Sequence, residues 1–363
     1  MSIKVLFDHQ KFSTQKYGGI SRYFANIINT IKHSPDYDYS LGVLTCNNHY
    51  IKGEKLALKS LGNVLSATTR AYKINQLYSK RLIEKNNFDV LHPTYYDPYF
   101  LEKTKKPLVI TIHDMTYERL PEYFWALDPL TYQKRLNIER ADKIIAISET
   151  TKADLIKYSN VDPAKISIVY HGIDFDTALQ SIPVKNLPGN YILFVGDRSG
   201  YKNFYLFLNA FKQISSKHKE INVVLTGGGN LGIADIEFIK RLNLEKRVMH
   251  VNATDEELNF LYQNAITFVY PSLHEGFGLP ILEAFMAKCS VILSDTDCFR
   301  EIGSDAAVYF NPYQIDDLIA TLEKVINDSG LRNLLVENGL KRLKDFPIKK
   351  SMDETLAIYK SLL

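Results

Sequence analysis

The residues best suited to chemistry stand in one short run, Ser272-Leu-His-Glu-Gly-Phe-Gly-Leu-Pro-Ile-Leu-Glu283, where two carboxylates eight positions apart bracket a pair of glycines. Ahead of it, Ile266 to Tyr270 is a run apolar but for Thr267, as expected of a strand buried on both faces of a parallel sheet. Gly276 and Gly278 allow a sharp turn with uncovered N–H groups, and Pro280 suits the first turn of a helix expected from about Pro280 to Ala287. The positive end of such a helix favours a phosphate. Glu275 and Glu283 would repel the phosphate itself, yet both accept well from hydroxyls on groups to either side of it. A nucleoside diphosphate sugar has that layout, with ribose on one side of the diphosphate and a hexose on the other. A plainer role stays open for Glu283, whose charge in the first helical turns also complements the dipole.

Further polar residues fall where strand ends are expected. Tyr191-Ile-Leu-Phe-Val-Gly196 reads as a strand, and the loop after it carries Arg198 and Lys202 before a helix from Phe204. Arg198 offers a planar fork for two phosphate oxygens and Lys202 a mobile point charge. Val223-Val-Leu-Thr-Gly-Gly-Gly229 is a strand with a glycine turn past which a base could slide, and Val251 to Glu256 on the next crossing is expected to line that base. Pro107-Leu-Val-Ile-Thr-Ile-His113-Asp114 delivers a His and an Asp from a strand's carboxyl end, where open α/β sheets hold ligands. Plainer roles compete: His113 as donor to a backbone carbonyl, Asp114 as cap of the next turn. Tyr117 to Tyr123, with Glu118, Arg119 and Glu122, reads as an acceptor-facing loop. Near the N-terminus, Ile3 to Phe7 is a short strand, and Gly18-Gly19 precedes a helical pattern from about Ile20 to Ile31. Other strands are expected at about Tyr39–Thr45 and Asp89–His92, with late helices near Asp316–Asn327, Leu331–Lys344 and Met352–Leu362.

The run His274 to Glu283 is similar to the signature of family 4 of the retaining glycosyltransferases, and the likeness extends over nearly the whole chain. The resemblance implies a GT-B fold, α/β, with two Rossmann-like doubly wound domains facing across a cleft. It implies that Glu275, His113 and Asp114 serve the reacting sugar, and that Gly276, Phe277, Gly278, Leu279, Glu283, Arg198, Lys202 and Val251 hold the donor together with the Gly18-Gly19 loop. One departure is Lys288-Cys289-Ser290, where the family usually has Gly, a small residue and Pro. A left-handed Lys288 would cost about 1 kcal/mol relative to Gly.

At 363 residues the chain exceeds what one core usually supports, so two domains are expected. Residues 1–180 would form an acceptor-side domain and 181–346 a nucleotide-sugar domain, with a linker around 175–188 and Gly172 as a hinge candidate. Residues 347–363 would form a helix that, by the resemblance, packs back on the first domain. Three cysteines give no disulfide framework, and no Cys/His cluster suggests a metal. The N-terminus lacks the apolar core of a signal peptide and no apolar run approaches 18 residues, so the chain is expected to be soluble and cytoplasmic. Residues 1–187 carry 25 basic and 19 acidic side chains, against 19 and 22 in the remainder. The excess lies mainly between Lys52 and Lys85, where eight basic side chains and two acids interleave with Leu56, Leu61, Ile74, Leu77 and Tyr78. That stretch is read either as a basic amphipathic face against anionic lipid at the inner face of the cytoplasmic membrane, or as a solvated helix with a core stripe.

These features lead to a retaining transferase that moves a hexose from a nucleoside diphosphate sugar to a hydroxyl of a glycan or lipid-linked glycan, with no cofactor, no metal and no nucleic-acid partner. From the family's bacterial members, GDP-mannose and surface polysaccharide assembly are favoured. A nucleotide-sugar epimerase of the same architecture and a non-catalytic nucleotide-sugar sensor stay open. The epimerase would need an acid and a base around C2 of the sugar, which the sequence does not place.

Overall fold

A computed structural model describes residues 2–58, 68–175 and 179–363. It divides into two compact units: Met1–His171 with Ile348–Leu363, and Gly172–Pro347. The division falls at Gly172, nine residues before the boundary expected from loss of periodicity. Part of the expected linker, and Lys59 and Leu61 of the basic stretch, lie outside the described residues.

In the first unit the strands are β1 (Ile3–Phe7), β2 (Tyr37–Leu41), β3 (Val90–His92), β4 (Val109–Ile112), β5 (Lys143–Ala146) and β6 (Ile166–Ile168). They form two parallel ladders, β2-β1-β3 and β4-β5-β6, joined by a bridge between Leu91 and Leu108. Strand order reverses at β1, which has β2 on one side and β3 on the other. β2 begins and ends earlier than the expected Tyr39–Thr45, because Ile3 to Phe7 pair in register with Tyr37 to Leu41. Beyond Leu41 the chain leaves the sheet. There the side chain of Asn75 takes over the backbone bonding, accepting from Leu44 and Thr45 N–H and donating to the Thr45 carbonyl at 2.7 Å.

The helix Gly19–Lys32 buries Phe24, Ile27, Ile28 and Ile31 on one stripe, as the i, i+3, i+4, i+7 spacing dictates. Its core is shared by Met352, Leu356 and Tyr359 of the closing helix Ile348–Lys360, and Tyr37 donates to the Leu356 carbonyl at 2.9 Å. The helices Gln10–Thr14 and Leu130–Arg140 carry little helical apolar period and are absent from the sequence reading.

The second unit holds β7 (Asn190–Val195), β8 (Ile221–Thr226), β9 (Val248–Val251), β10 (Thr267–Tyr270), β11 (Val291–Ser294) and β12 (Val308–Phe310) in one parallel sheet, ordered β12-β11-β10-β7-β8-β9. All residues of β10 and β11 are buried, which explains their mostly apolar sequence; the Thr267 hydroxyl is satisfied by the Ser290 carbonyl at 3.0 Å. Order reverses between β7 and β10. In doubly wound sheets that reversal opens a crevice at the carboxyl ends of the two strands, and the loops there are the default ligand position. The helix Leu279–Met286 follows β10 with Gly278 as N-cap and Pro280 in its first turn. Its far end closes at Lys288 (φ 58°), whose N–H donates to the Phe285 carbonyl while that of Cys289 reaches the Ala284 carbonyl at 2.9 Å. The left-handed ending usually taken by Gly is therefore made here by an exposed Lys.

Candidate active site

In the second unit, the loops leaving β7 and β10 are tied together by a backbone bond from Leu273 N–H to the Tyr201 carbonyl at 2.8 Å. This contact brings Lys202 against Glu275, with Nζ 2.5 Å from Oε1 and both side chains about seven-eighths buried. Burial opposes the Lys202 charge, but Glu275, with Tyr270, Tyr201 and Asp197 around it, holds the ammonium well above its ordinary range. Burial and Glu275 together push the Tyr270 hydroxyl upward, so it remains a proton donor. A cation, a carboxylate and a phenol thus converge at the reversal point. Sequence reasoning found the first two separately; Tyr270 it took only as the end of a strand.

Arg198 differs from expectation. Its Nε donates to Asp235 at 3.0 Å, one terminal nitrogen to the Gly227 carbonyl, and the other to the carbonyls of Gly228, Gly229 and Asn230. The fork expected to hold two phosphate oxygens is occupied in fixing the glycine turn after β8. Asp235 completes the arrangement by accepting from Gly232 N–H and Tyr205. Gly228 has φ 66°, and a Cβ there would lie 2.5 Å from Asp197 Cα, so the turn and the Arg198 loop pack backbone to backbone. Val251 ends the edge strand β9 and is half-buried.

Around the helix start, Gly278 takes φ 95° and its carbonyl accepts from Ile281 N–H. Phe277 is a core anchor, packed edge-on to Phe346 at 5.7 Å. Leu279 and Glu283 are half-buried on the helix's first turns.

The first unit gathers a different set at its strand ends. His113, just past β4, is buried, lies 6.0 Å from the ring of His171 and 5.8 Å from Tyr23, and is held well below its ordinary range by burial and then by His171. Burial, helped by Arg22, holds His171 at about 3. Asp114 Oδ1 accepts from Thr116 N–H at 2.9 Å, two residues on, ahead of the helix Thr116–Arg119 whose N-cap is Met115. Lys11, absent from the sequence reading, sits with Nζ 3.4 Å from the centre of the Tyr95 ring. Burial lowers it to about 8 although the charge of Asp114 opposes the shift. Gly18 is the N-cap of the helix Gly19–Lys32, where Gln15 already accepts from Ser21 N–H at 3.1 Å. The expected acceptor loop is a helical turn, Thr116–Arg119, and two of its charges are structural: Glu118 pairs with the fully buried Lys134 at 2.9 Å and Arg119 with Asp154 at 3.1 Å.

Residues 17–177 match the family described as Glycosyltransferase Family 4, and residues 176–342 that described as Glycosyl transferases group 1. The chain is a GT-B glycosyltransferase of the family 4 type. This glycosyltransferase is 27% identical to the O-antigen chain mannosyltransferase RfbU of Salmonella typhimurium, over 81% of the chain and 83% of that protein. It is also 27% identical to O-antigen chain mannosyltransferase B of Escherichia coli, over 74% and 73% respectively. Among solved structures it shares the fold of a sucrose-phosphate synthase from Thermosynechococcus elongatus, with a TM-score of 0.75 at 17% identity, covering 100% of this chain and 99% of that one. No helix among the described residues is long and apolar enough to cross a membrane, and none of their His, Cys, Asp and Glu side chains cluster in threes to hold a metal ion.

Proposed function

We propose that this glycosyltransferase retains anomeric configuration, uses no metal, and moves a hexose from a nucleoside diphosphate sugar to a hydroxyl of a glycan or lipid-linked glycan during bacterial surface polysaccharide synthesis. The observation that carries the reading is the Lys202–Glu275 pair at the reversal between β7 and β10. An incoming diphosphate competes with Glu275 for the Lys202 ammonium. Once released, the carboxylate faces the sugar, where positive charge grows as the glycosidic bond to phosphate breaks. Lys202 then stabilises the departing diphosphate, the charge role a divalent ion fills elsewhere. No carboxylate is identified as a nucleophile, so front-face transfer is preferred, with the leaving phosphate oxygen taking the acceptor's proton. Glu283 is assigned to ribose hydroxyls and Val251 to the base. Arg198 supports the diphosphate loop through the glycine turn rather than by direct contact.

The names of the two mannosyltransferases favour mannose as the sugar moved, and GDP-mannose is the donor we assign to it. Peripheral contact with an anionic membrane is supported by the helix Thr68–Lys85, whose exposed side chains include Arg70, Lys73, Leu77 and Arg81.

The test is incubation of the purified chain with radiolabelled GDP-mannose and UDP sugars, with and without a lipid-linked glycan and with EDTA, beside thermal shifts with GDP and UDP. GDP should give the larger shift, label should pass to the acceptor, and EDTA should change the rate by less than severalfold. Epimerised donor without transfer, or a strict metal requirement, would overturn the reading.

A further inference from the structure

The helix Leu130–Arg140 buries Lys134, Asn137 and Ile138. Two of the three are polar, and Lys134, 1% exposed, is of a type almost never fully buried unless paired. Its pairing with Glu118 does not by itself explain its presence, because a buried ion pair is often no more stabilising than apolar side chains of the same volume. A helix that only covered the sheet would do as well with Leu or Met at these positions.

What the polar side chains reach is main chain at the carboxyl ends of two strands. Lys134 Nζ donates to the Asp114 carbonyl at 3.0 Å as well as to Glu118 at 2.9 Å. Three residues on, and so on the same helix face, Asn137 Nδ2 donates to the Tyr96 carbonyl at 2.8 Å. The Tyr96 hydroxyl accepts from His113 N–H at 3.1 Å and donates to the Thr111 carbonyl at 3.2 Å. Burial pushes this phenol well above its ordinary range, so it stays protonated and fills both roles. The dipeptide His113-Asp114 is thus held at both ends, its N–H by Tyr96 and its carbonyl by Lys134, while Asn137 fixes Tyr96. Each of these bonds fixes backbone, and none of them engages the His113 imidazole or the Asp114 carboxylate.

We infer that Lys134 and Tyr96 are positioning residues of the transfer reaction, which set His113 and Asp114 against the reacting sugar, with Glu118 as the counter-charge of the buried ammonium. The inference rests on the proposed transfer and on the part that the family resemblance gives to His113 and Asp114. A misplacement of about 1 Å at a reacting group costs up to about a hundredfold in rate.

Two substitutions separate this role from plain support, because they change stability and the carbonyl bond in opposite senses. Lys134→Met with Glu118→Met removes the bond but replaces the ion pair by apolar side chains of similar length, so the urea midpoint should stay near that of the wild type. Glu118→Gln keeps the Lys134–Asp114 bond but leaves the ammonium buried without its counter-charge, so the midpoint should fall clearly. Turnover should run the other way when measured with radiolabelled donor and lipid-linked glycan at a temperature where both variants are folded. The expected loss is about tenfold or more in the apolar double variant and about threefold or less in Glu118→Gln. Tyr96→Phe, which takes the acceptor from His113 N–H without touching a charge, should also lose about tenfold. Donor KM and the GDP thermal shift should hold in all three, since the proposed diphosphate site lies in the other unit.

Turnover that follows stability, with the apolar double variant as active as the wild type and Glu118→Gln impaired, would overturn the inference and leave Lys134 a structural ion pair. Unchanged turnover in Tyr96→Phe, or a loss of GDP affinity matching the loss of turnover, would overturn it as well. The two readings stay separable. A wild-type chain that transfers sugar from neither GDP nor UDP donors sinks the proposed reaction, whereas wild-type transfer with the variants ranked by their stability sinks this inference alone.

Discussion

In the unit Gly172–Pro347, the polar groups at the strand ends are placed by backbone. All five described glycines with left-handed φ lie there, as do Asn186, Asn203, Asn243, Lys288 and Ser304, whereas the other unit has only Asn86. Turns of this kind aim Lys202 at Glu275 and pack the Gly228 turn on Asp197. The first unit places its groups by burying side chains. His92, for example, bonds Tyr359 at 2.6 Å and Thr111 at 2.9 Å, and His113 lies over His171. A site built from left-handed turns does not tolerate a Cβ there, and one built from buried imidazoles does not tolerate acid.

Acid should therefore separate the units, and this is the largest expected effect. His92 and His171 are held at about 3 by burial, and His113 is also far below 6.5. Between 6.5 and 3 the unfolded chain binds more protons than the folded one, so the stability these neutral rings supply is complete above pH 6.5 and is lost as pH falls. The loss is about 1.4 kcal/mol per pH unit for each such histidine. In the second unit Lys202 stays charged throughout, and the histidine lowered there by burial is the half-buried His250. Urea unfolding at pH 7.5 and 5.0, followed by peptide-resolved hydrogen exchange corrected for intrinsic rates, should show protection falling in the first unit well before the second. Equal losses in both would remove the contrast.

Next in size is Lys202→Ala, which removes a charge-assisted contact to diphosphate worth roughly 1.5–3 kcal/mol, or about 10- to 150-fold in affinity. It also leaves Glu275 without its cation, so titration calorimetry with GDP should show the full loss and added salt should not restore it. Unchanged affinity would move the phosphate site away from the β7–β10 reversal.

The two glutamates should then fail differently. Glu275→Gln should lower turnover by about tenfold or more while nucleoside diphosphate affinity holds or tightens, because Lys202 is freed and the lost contact matters most in the transition state. Glu283→Gln should weaken donor and free diphosphate alike, appearing mainly in the donor KM. Steady-state profiles with matched titrations decide it, and identical losses would merge the two roles.

How much of this was readable from sequence follows the same division. Lys202, Glu275 and the glycines of the second unit could be found because turn residues and unbroken apolar strands are local signals, and the order reversal that unites them follows from alternation of strand and helix. Arg198 was found from its loop, but its bonds to the Gly227–Asn230 carbonyls were not, since those lie some thirty residues away. In the first unit Lys11 and His171 carried no local signal: their character comes from burial by residues distant in sequence, which one sequence does not display. Asp114 was read both as a reactive group and as a cap; its carboxylate bonds Thr116 N–H ahead of a helix whose N-cap is Met115.

The smallest effect tests the backbone half of the contrast on its own. Lys288 closes the helix after the two glutamates at φ 58°, a conformation that costs an L-residue about 1–2 kcal/mol. Lys288→Gly removes that cost but adds unfolded-chain entropy of about 0.4–1 kcal/mol and forfeits a cation at the helix's negative end, worth about 0.3 kcal/mol where exposed. The balance is a gain of about 0.5 kcal/mol, seen as a higher urea midpoint with unchanged slope. Lys288→Ala is the control: it keeps the strained φ, loses the charge and should be no more stable than wild type. If Gly and Ala shifted the midpoint equally, left-handed strain would not be what distinguishes this helix end, and Lys would fit there as well as the glycine usual in the family.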